Sequence, residues 1–180
     1  MSRSLAVVAA LTLALPAALL AQGPAANSGA NPLVASTGVL YEQVKDFVTR
    51  SAEQMPEEHY AFRPTEDVRT FRELIGHIAN AHYMFCSTAL GEANPNSENF
   101  EETKTTKAAL QDALRTSFEY CDRAYSTISD AQASEPVQLF GNERPRMFVL
   151  NFNVAHDMEH YGNIVTYMRI NGLVPPSSQR

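Results

Sequence analysis

Four long segments of the chain repeat their apolar side chains at helical spacing, and this repetition limits the folds that the chain can adopt. The first segment, residues 33–55, places a stripe of apolar residues on one helical face: Val34, Leu40, Tyr41, Val44, Phe47 and Val48. No segment combines alternating apolar residues, β-branched enrichment and the Asn-Gly or Asp-Gly turns that are typical of β-hairpins. The sequence therefore predicts an all-α protein.

Local signals mark the ends of the predicted helices. The sequence "TFRE", residues 70–73, has the spacing of a capping box at a helix start, and Gly91 is a suitable helix stop. Pro145 suits the first position of the last helix, which ends at the "INGLVPP" segment. The predicted helices span residues 33–55, 70–91 and 103–129, and the last one begins near residue 145.

The number and length of these helices favour a four-helix bundle. The second and third helices are joined by "EANPNSENFEET". When extended, this connection could span roughly 40 Å, which is longer than a helix of about 20 residues. The second and third helices can therefore run in the same direction.

The N-terminal residues have the pattern of a secretory signal peptide. A single cation is followed by an apolar run over residues 5–15, a proline and small residues up to a cleavage site after Ala21. An uncleaved anchor is the alternative. We expect a signal peptide at 1–21, a flexible leader at 22–32, one helical domain at 33–176 and a tail at 177–180. The chain is thus expected to be exported to the periplasm or the extracellular space.

The charge of the chain limits its partners. The 14 Lys and Arg residues and 20 Asp and Glu residues give a formal net charge of −6, which becomes −7 when the predicted signal peptide is removed with Arg3. No cluster of basic residues is present, so we expect neither nucleic acid nor a stable contact with anionic membranes after signal cleavage. A small-molecule substrate is the expected partner, and its identity does not follow from the sequence.

Two histidines stand four residues apart in "HDMEHYGN", residues 156–163. Residues at this spacing lie on one face of a helix with their Cβ atoms about 5–6 Å apart, so His156 and His160 can bind one ion. Chance occurrence on a solvated face is the alternative. His77 reaches the same level if the second helix is antiparallel to the last one, and His77, His156 and His160 are then the candidate metal ligands.

The sequence also predicts positions or roles for the other histidines and for polar residues that could act beside the metal ligands. His82 is rotated about 140° from His77 and is predicted to lie at the surface or its boundary, and His59 is predicted to lie in an exposed loop. A general acid or base would have to face the open coordination position, and the candidates are Glu73, Tyr41 and Tyr161. Glu73, Asn153 and Asn163 could support the ligands, although a helix-capping role is the preferred interpretation of Glu73.

The sequence leaves two alternatives open for the cysteines Cys86 and Cys121. The first is that they form a disulfide. They lie about 16 and 18 residues from the starts of their helices, which places them within roughly 3 Å along the axis if those helices are parallel. An exported chain with an even number of cysteines favours a bond. Two unrelated buried thiols are the other alternative.

The segments "FRELIGHIANAHYMF" and "HDMEHYGNIVTYMRINGLVPP" resemble the second and last helices of the DinB-like (damage-inducible B) superfamily, which is related to the YfiT-like metal-dependent hydrolases. The resemblance covers nearly the whole mature chain. It implies an up-down-down-up four-helix bundle with a long connection between helices 2 and 3, metal ligands at His77, His156 and His160, and homodimers in many members. Many members have arginine where this chain has Tyr161. This difference weakens any inference of this chain's substrate from those members.

The residues and the resemblance together predict a divalent-metal-dependent enzyme. Three neutral imidazoles leave a coordination position open, and zinc or nickel is the expected metal. Such an ion activates a water or a thiol, so we expect hydrolysis or group (thiol) transfer on a small molecule, with hydrolysis ranked first. The alternative is a non-catalytic helical bundle module that binds a metal or a small ligand.

Overall fold

Helices account for most of the residues that the computed structural model describes, which are residues 29–179. The predicted signal peptide and most of the predicted leader lie outside these residues. In chain order the elements are α1 (Pro32–Gln54), α2 (Phe71–Leu90), α3 (Phe100–Thr103), α4 (Lys107–Thr127), α5 (Asp130–Ala133), β1 (Pro136–Leu139), β2 (Asn142–Pro145) and α6 (Arg146–Ile170). Single 3-10 turns lie at Glu57–His59 and Pro176–Ser178. The four long helices α1, α2, α4 and α6 correspond to the predicted ones, so the mostly helical fold is confirmed.

The ends of α2 follow the predicted local signals. The Thr70 side chain accepts a hydrogen bond from the Glu73 backbone N–H at 3.2 Å, and the Glu73 carboxylate accepts one from the Thr70 backbone N–H at 2.8 Å. At the other end Gly91 has φ 74°, a left-handed conformation that glycine adopts without steric cost. The start of the helix that carries His77 is therefore determined by its own sequence.

The third predicted helix is shorter in the structure. Thr106 caps α4, since its hydroxyl accepts a hydrogen bond from the Ala109 N–H at 3.2 Å. Ser129 starts the separate turn α5 through a capping box with Gln132. Hydroxyl side chains that cap a new helix compete with continuation of the old one, so the expected helix of 103–129 is shortened to α4 at both ends.

The expectation that the chain has no strands is wrong for residues 136–145. β1 and β2 form an antiparallel hairpin in which Pro136 pairs with Pro145 and Leu139 with Asn142. The turn residues Phe140 and Gly141 have φ of 50° and 74°. The strands are too short to show a period of two, and the turn has Phe-Gly in place of the Asn-Gly or Asp-Gly that identifies such hairpins.

Contacts between the helices give their relative directions. His82 and Cys86 of α2 meet Ser117 and Cys121 of α4, so these two helices run in the same direction. Phe85 of α2 contacts Phe152 in α6, while the more N-terminal part of α2 meets later residues of α6, so these two helices are antiparallel.

Helix α1 packs against the other side of α4 and α6. Tyr41 donates a hydrogen bond to the Phe118 carbonyl, and the Ala52 carbonyl, later in α1, accepts one from the earlier α4 residue Gln111. Phe47 stacks on Tyr161 of α6. The core between the four long helices is formed by apolar side chains that are almost fully buried, including Tyr41, Val44, Val48, Phe71, Ile75, Ile78, Phe85, Leu110, Leu114, Leu150, Ile164 and Met168. No helix within residues 29–179 has the length and apolar character needed to cross a membrane.

A disulfide joins α2 to α4. Cys86 and Cys121 are bonded with a Cα–Cα distance of 5.2 Å, as expected for parallel helices, and the pairing closes a sequence separation of 35 residues. Thiol titration of denatured, unreduced protein from its native compartment is expected to find no free thiol. Replacing both cysteines by alanine is expected to lower the free energy of unfolding by about 2–4 kcal/mol, since the cross-link restricts the unfolded chain. Two free thiols per chain would contradict the pairing.

Candidate metal centre

Three histidine rings meet between α2 and α6. His156 and His160 lie one turn apart on α6, and their Nε2 atoms are 3.1 Å apart. His77 reaches them from α2, with its Nε2 atom 3.2 Å from His156 Nε2. One ligand nitrogen of each residue lies within 4.8 Å of the others. The structure therefore brings together the three histidines that the sequence selected.

These nitrogens cannot satisfy one another by hydrogen bonding. His156 Nε2 carries either one proton or one lone pair, yet it faces both His77 Nε2 and His160 Nε2 at hydrogen-bonding distance. A single proton or a single lone pair serves only one of these two contacts, so the other is left unsatisfied. A cation resolves this arrangement, because two nitrogens at about 2.1 Å from one zinc ion with tetrahedral or smaller angles lie about 3.0–3.4 Å apart. Three imidazole nitrogens also suit zinc and nickel.

The cluster is partly exposed to solvent. The side chain of His77 is 26% exposed and that of His156 is 13% exposed, whereas His160 is buried. A ligand can thus approach the cluster from the exposed sides of His77 and His156.

Glu101 in α3 orients His77 and was not selected from the sequence. Its carboxylate lies 3.2 Å from His77 Nδ1, and its other oxygen accepts a hydrogen bond from Arg69 Nε at 2.7 Å. This approach depends on Gly76, since a Cβ there would lie 2.7 Å from the Glu101 Cα atom. A carboxylate that binds the outer nitrogen of an imidazole leaves Nε2 available as a ligand. The small residue before His77 was the one available signal.

Within residues 29–179, the outer nitrogens of His160 and His156 have no carboxylate at hydrogen-bonding distance. Asn163 was predicted to support the ligands, and its amide nitrogen lies 3.4 Å from His160 Nδ1. Asn153 instead donates a hydrogen bond to the Tyr125 hydroxyl and does not contact the rings. His156 Nδ1 is buried and unpartnered among the described residues, since the nearest carboxylate oxygen, that of Asp157, is 3.8 Å away.

The expected surface position of His82 is wrong. His82 is fully buried, with Nδ1 2.9 Å from the Ser117 hydroxyl and Nε2 3.0 and 3.1 Å from the two Asp157 carboxylate oxygens. Its rotation of about 140° from His77 turns His82 toward α4, because α2 packs against α4 as well as α6. Burial alone would raise the pKa of Asp157, but contacts with His82 and His156 hold it below its usual value.

The three candidate acid–base residues have hydrogen-bond partners outside the histidine cluster. Tyr41 is buried against α4 and donates a hydrogen bond to Asp122 at 2.8 Å, and burial raises its pKa far above the usual value. Glu73 caps α2, and its backbone hydrogen bond to Thr70 lowers its pKa. The Tyr161 hydroxyl accepts a hydrogen bond from the Ser177 N–H at 2.9 Å. All three have structural partners, so no general acid or base is identified among them.

A cleft of about 560 Å³ lies elsewhere, between α1 and α4. Its lining includes Lys45, Gln111 and Asp122 and none of the three histidines. This cleft is therefore separate from the metal centre.

The environment of the cluster favours uncharged imidazoles. Burial is the main cause that lowers the pKa of His77, and Arg69 and His156 act in the same direction. Burial and the neighbouring His156 and His77 lower the pKa of His160 to about 4. These two rings are neutral at neutral pH, which is the form that binds metal.

The metal-free protein is expected to lose stability as the pH falls from about 7 to 5. His160 binds a proton near pH 6.5 when unfolded and only near 4 when folded, so the unfolded chain binds more protons in this range. The resulting loss in the free energy of unfolding is about 2 kcal/mol. Chemical denaturation in the presence of a chelator measures it. The variant His160→Asn should lose that part of the pH dependence, and an unchanged dependence would contradict the assignment.

Comparisons with known proteins identify the relatives of this chain. A family model described as DinB superfamily matches residues 40–164. The uncharacterized protein YjoA of Bacillus subtilis (strain 168) is 26% identical over 122 residues, which cover 66% of this chain and 77% of YjoA. The crystal structure of a DinB-like protein from Bacillus cereus ATCC 10987 covers 78% of this chain and 93% of its own, with a TM-score of 0.68 and 17% identity. The crystal structure of YjoA covers 83% of this chain and 99% of its own, with a TM-score of 0.65 and 22% identity. The chain shares the fold of these two structures.

Proposed function

The chain belongs to the DinB superfamily, and from this membership and the three-histidine cluster we propose that it is a metal-dependent enzyme that acts on a small molecule. One divalent ion, zinc or nickel, is held by His77, His156 and His160. The observation that carries this proposal is the convergence of three Nε2 atoms, which cannot satisfy one another by hydrogen bonds.

The reaction is hydrolysis or group (thiol) transfer. A divalent ion with an open coordination position lowers the pKa of a bound water or thiol and polarises a carbonyl group. Glu101 and Arg69 keep the His77 ring oriented. Hydrolysis ranks first, because the predicted export takes the chain away from the cytoplasmic pool of small thiols.

The expected topology and location complete the proposal. The directions of the helix contacts support an up-down-down-up four-helix bundle, and the connection between α2 and α4 provides the length that this topology requires. The chain is exported, and sequencing of the mature N-terminus should find Gln22 first. A homodimer is its expected assembly, with no nucleic-acid partner.

Metal analysis followed by a substrate screen tests the function. The protein should be purified without a polyhistidine tag, and we expect one ion per chain. Ester, amide and thiol-transfer substrates are then screened with the metal-loaded protein, with the metal-stripped protein and with His156→Ala. Turnover that needs both the metal and His156 supports the enzyme. A protein that binds no stoichiometric metal would contradict the proposal.

A non-catalytic binding module is the second candidate, and one observation favours it. Tyr41, Glu73 and Tyr161 are held by other partners, so none of these three candidates is assigned as an acid or base at the cluster. Stoichiometric metal without turnover of any substrate class would favour this alternative.

A further inference from the structure

Three phenylalanine side chains form an exposed aromatic patch beside the histidine cluster. We use this name for Phe140, Phe148 and Phe152, which are 63%, 42% and 37% exposed. Phe152 lies between the other two, with ring centroids 6.0 Å from Phe140 and 5.9 Å from Phe148. Large apolar side chains that are grouped on a surface mark a binding site more often than isolated ones do.

The aromatic patch is continuous with the metal centre. The buried ring of Phe85 contacts Phe152 and His156, both at centroid distances of 5.3 Å. Phe152 and Phe148 precede His156 by one and two turns of α6, so they lie about 6 and 12 Å from it along the helix axis. A molecule with one end at the open side of the histidine cluster can therefore lay its other end on these rings.

The position of Phe140 is costly for folding. Its φ of 50° lies in the left-handed region, which bulky residues rarely adopt and which asparagine or glycine occupies more easily. Its ring stays mostly in solvent, so burial returns little of this cost. A strained residue held at a surface next to a candidate site indicates a role in binding.

We propose that the aromatic patch binds the apolar, ring-bearing part of the substrate, while the polar reacting group lies at His77, His156 and His160. This inference rests on the proposed metal function and specifies its substrate class. The rings of Phe140, Phe148 and Phe152 offer faces and edges to an aromatic or cyclic aliphatic group, and the substrate extends along α6 from the histidines.

Two hydroxamates that differ in one ring test this assignment. Acetohydroxamate and 3-phenylpropanohydroxamate chelate a metal ion through the same two oxygen atoms, and only the second carries a group that can reach the patch. Titration calorimetry of the zinc-loaded protein should find the phenyl compound bound about 10-fold more tightly, as expected for a ring that gains aromatic contacts and leaves water.

Variants locate the source of this preference. Phe140→Ala and Phe148→Ala should each reduce the preference several-fold while leaving the affinity for acetohydroxamate unchanged. Because both side chains are exposed, the variants should fold, and their thermal unfolding verifies this. Leu40→Ala removes an equally exposed apolar side chain from α1 and should leave the preference as it is in the unchanged protein.

The possible outcomes separate the two proposals. Equal affinities for the two hydroxamates, or an unchanged preference in Phe140→Ala and Phe148→Ala, would overturn the patch assignment and leave the metal centre standing. Absence of bound zinc and of acetohydroxamate binding would overturn the metal function and the patch assignment with it. Loss of a dimer in Phe148→Ala, seen by light scattering with an unchanged preference, would instead identify the patch as a contact between two copies.

Discussion

Replacing His156 by alanine is expected to lower the affinity for zinc by about 100-fold or more. Its Nε2 atom lies between those of His77 and His160, so its removal leaves only two ligand nitrogens. Loss of a group that only orients a ligand already costs about 10–100-fold, and loss of a ligand should cost at least as much. Titration with a competing chelator measures the affinity at neutral pH. His77→Ala and His160→Ala should weaken binding similarly.

His59→Ala is the matched control for these variants. His59 lies in the 3-10 turn outside the cluster, so zinc affinity should stay within about 2-fold, given that its ring supplies no ligand atom to the group. His82 is unsuitable as a control, because its replacement disturbs the core. Equal losses in His59→Ala and His156→Ala would show general affinity of histidine for metal and would contradict a defined site.

Replacing Asp157 by alanine is expected to lower the free energy of unfolding by about 3–5 kcal/mol. Asp157 and His82 are both fully buried and lie within 3.0 Å of each other. Removing the carboxylate leaves a polar ring in the core without its acceptor, and a buried polar group without a partner is costly. Urea denaturation in the presence of a chelator measures this effect separately from metal binding.

Asp46→Ala is the control for this prediction. Asp46 pairs with Arg50 on the surface of α1 with 53% of its side chain exposed, so its replacement should cost less than about 1 kcal/mol. The double variant His82→Ala and Asp157→Ala should cost less than the sum of the single variants, since the two residues interact directly. A cost below about 1 kcal/mol for Asp157→Ala would show that the pair contributes little.

The helices and the spacing of the ligands could be predicted because local contacts determine them. The capping box at Thr70 and Glu73 joins residues three positions apart, and His156 and His160 share a face because of the helical repeat. His77 could be added to this pair because the helices were taken as antiparallel. A residue at a given distance from the end of one such helix lies level with a residue at the same distance from the start of the other. Each of these inferences needs only the geometry of one helix or of a neighbouring pair.

The environment of the ligands could not be predicted in the same way. Glu101 follows His77 by 24 residues and reaches it only because α3 packs closely on Gly76. His82 is buried because α2 has neighbours on more than one side, a property of the assembled helices. The hydrogen-bond partners of the catalytic candidates could not be predicted for a related reason, since residues from distant segments bind Tyr41 and Tyr161.

The sequence by itself determined the four long helices, the capping box of α2 and the His156–His160 pair, because these depend on interactions over a few residues. Only the tertiary structure decided the partner of His77, the burial of His82 with Asp157 and the aromatic patch that the hairpin completes. These features depend on where loops and helices come together. That placement results from many weak contacts between distant residues, and no local pattern encodes it.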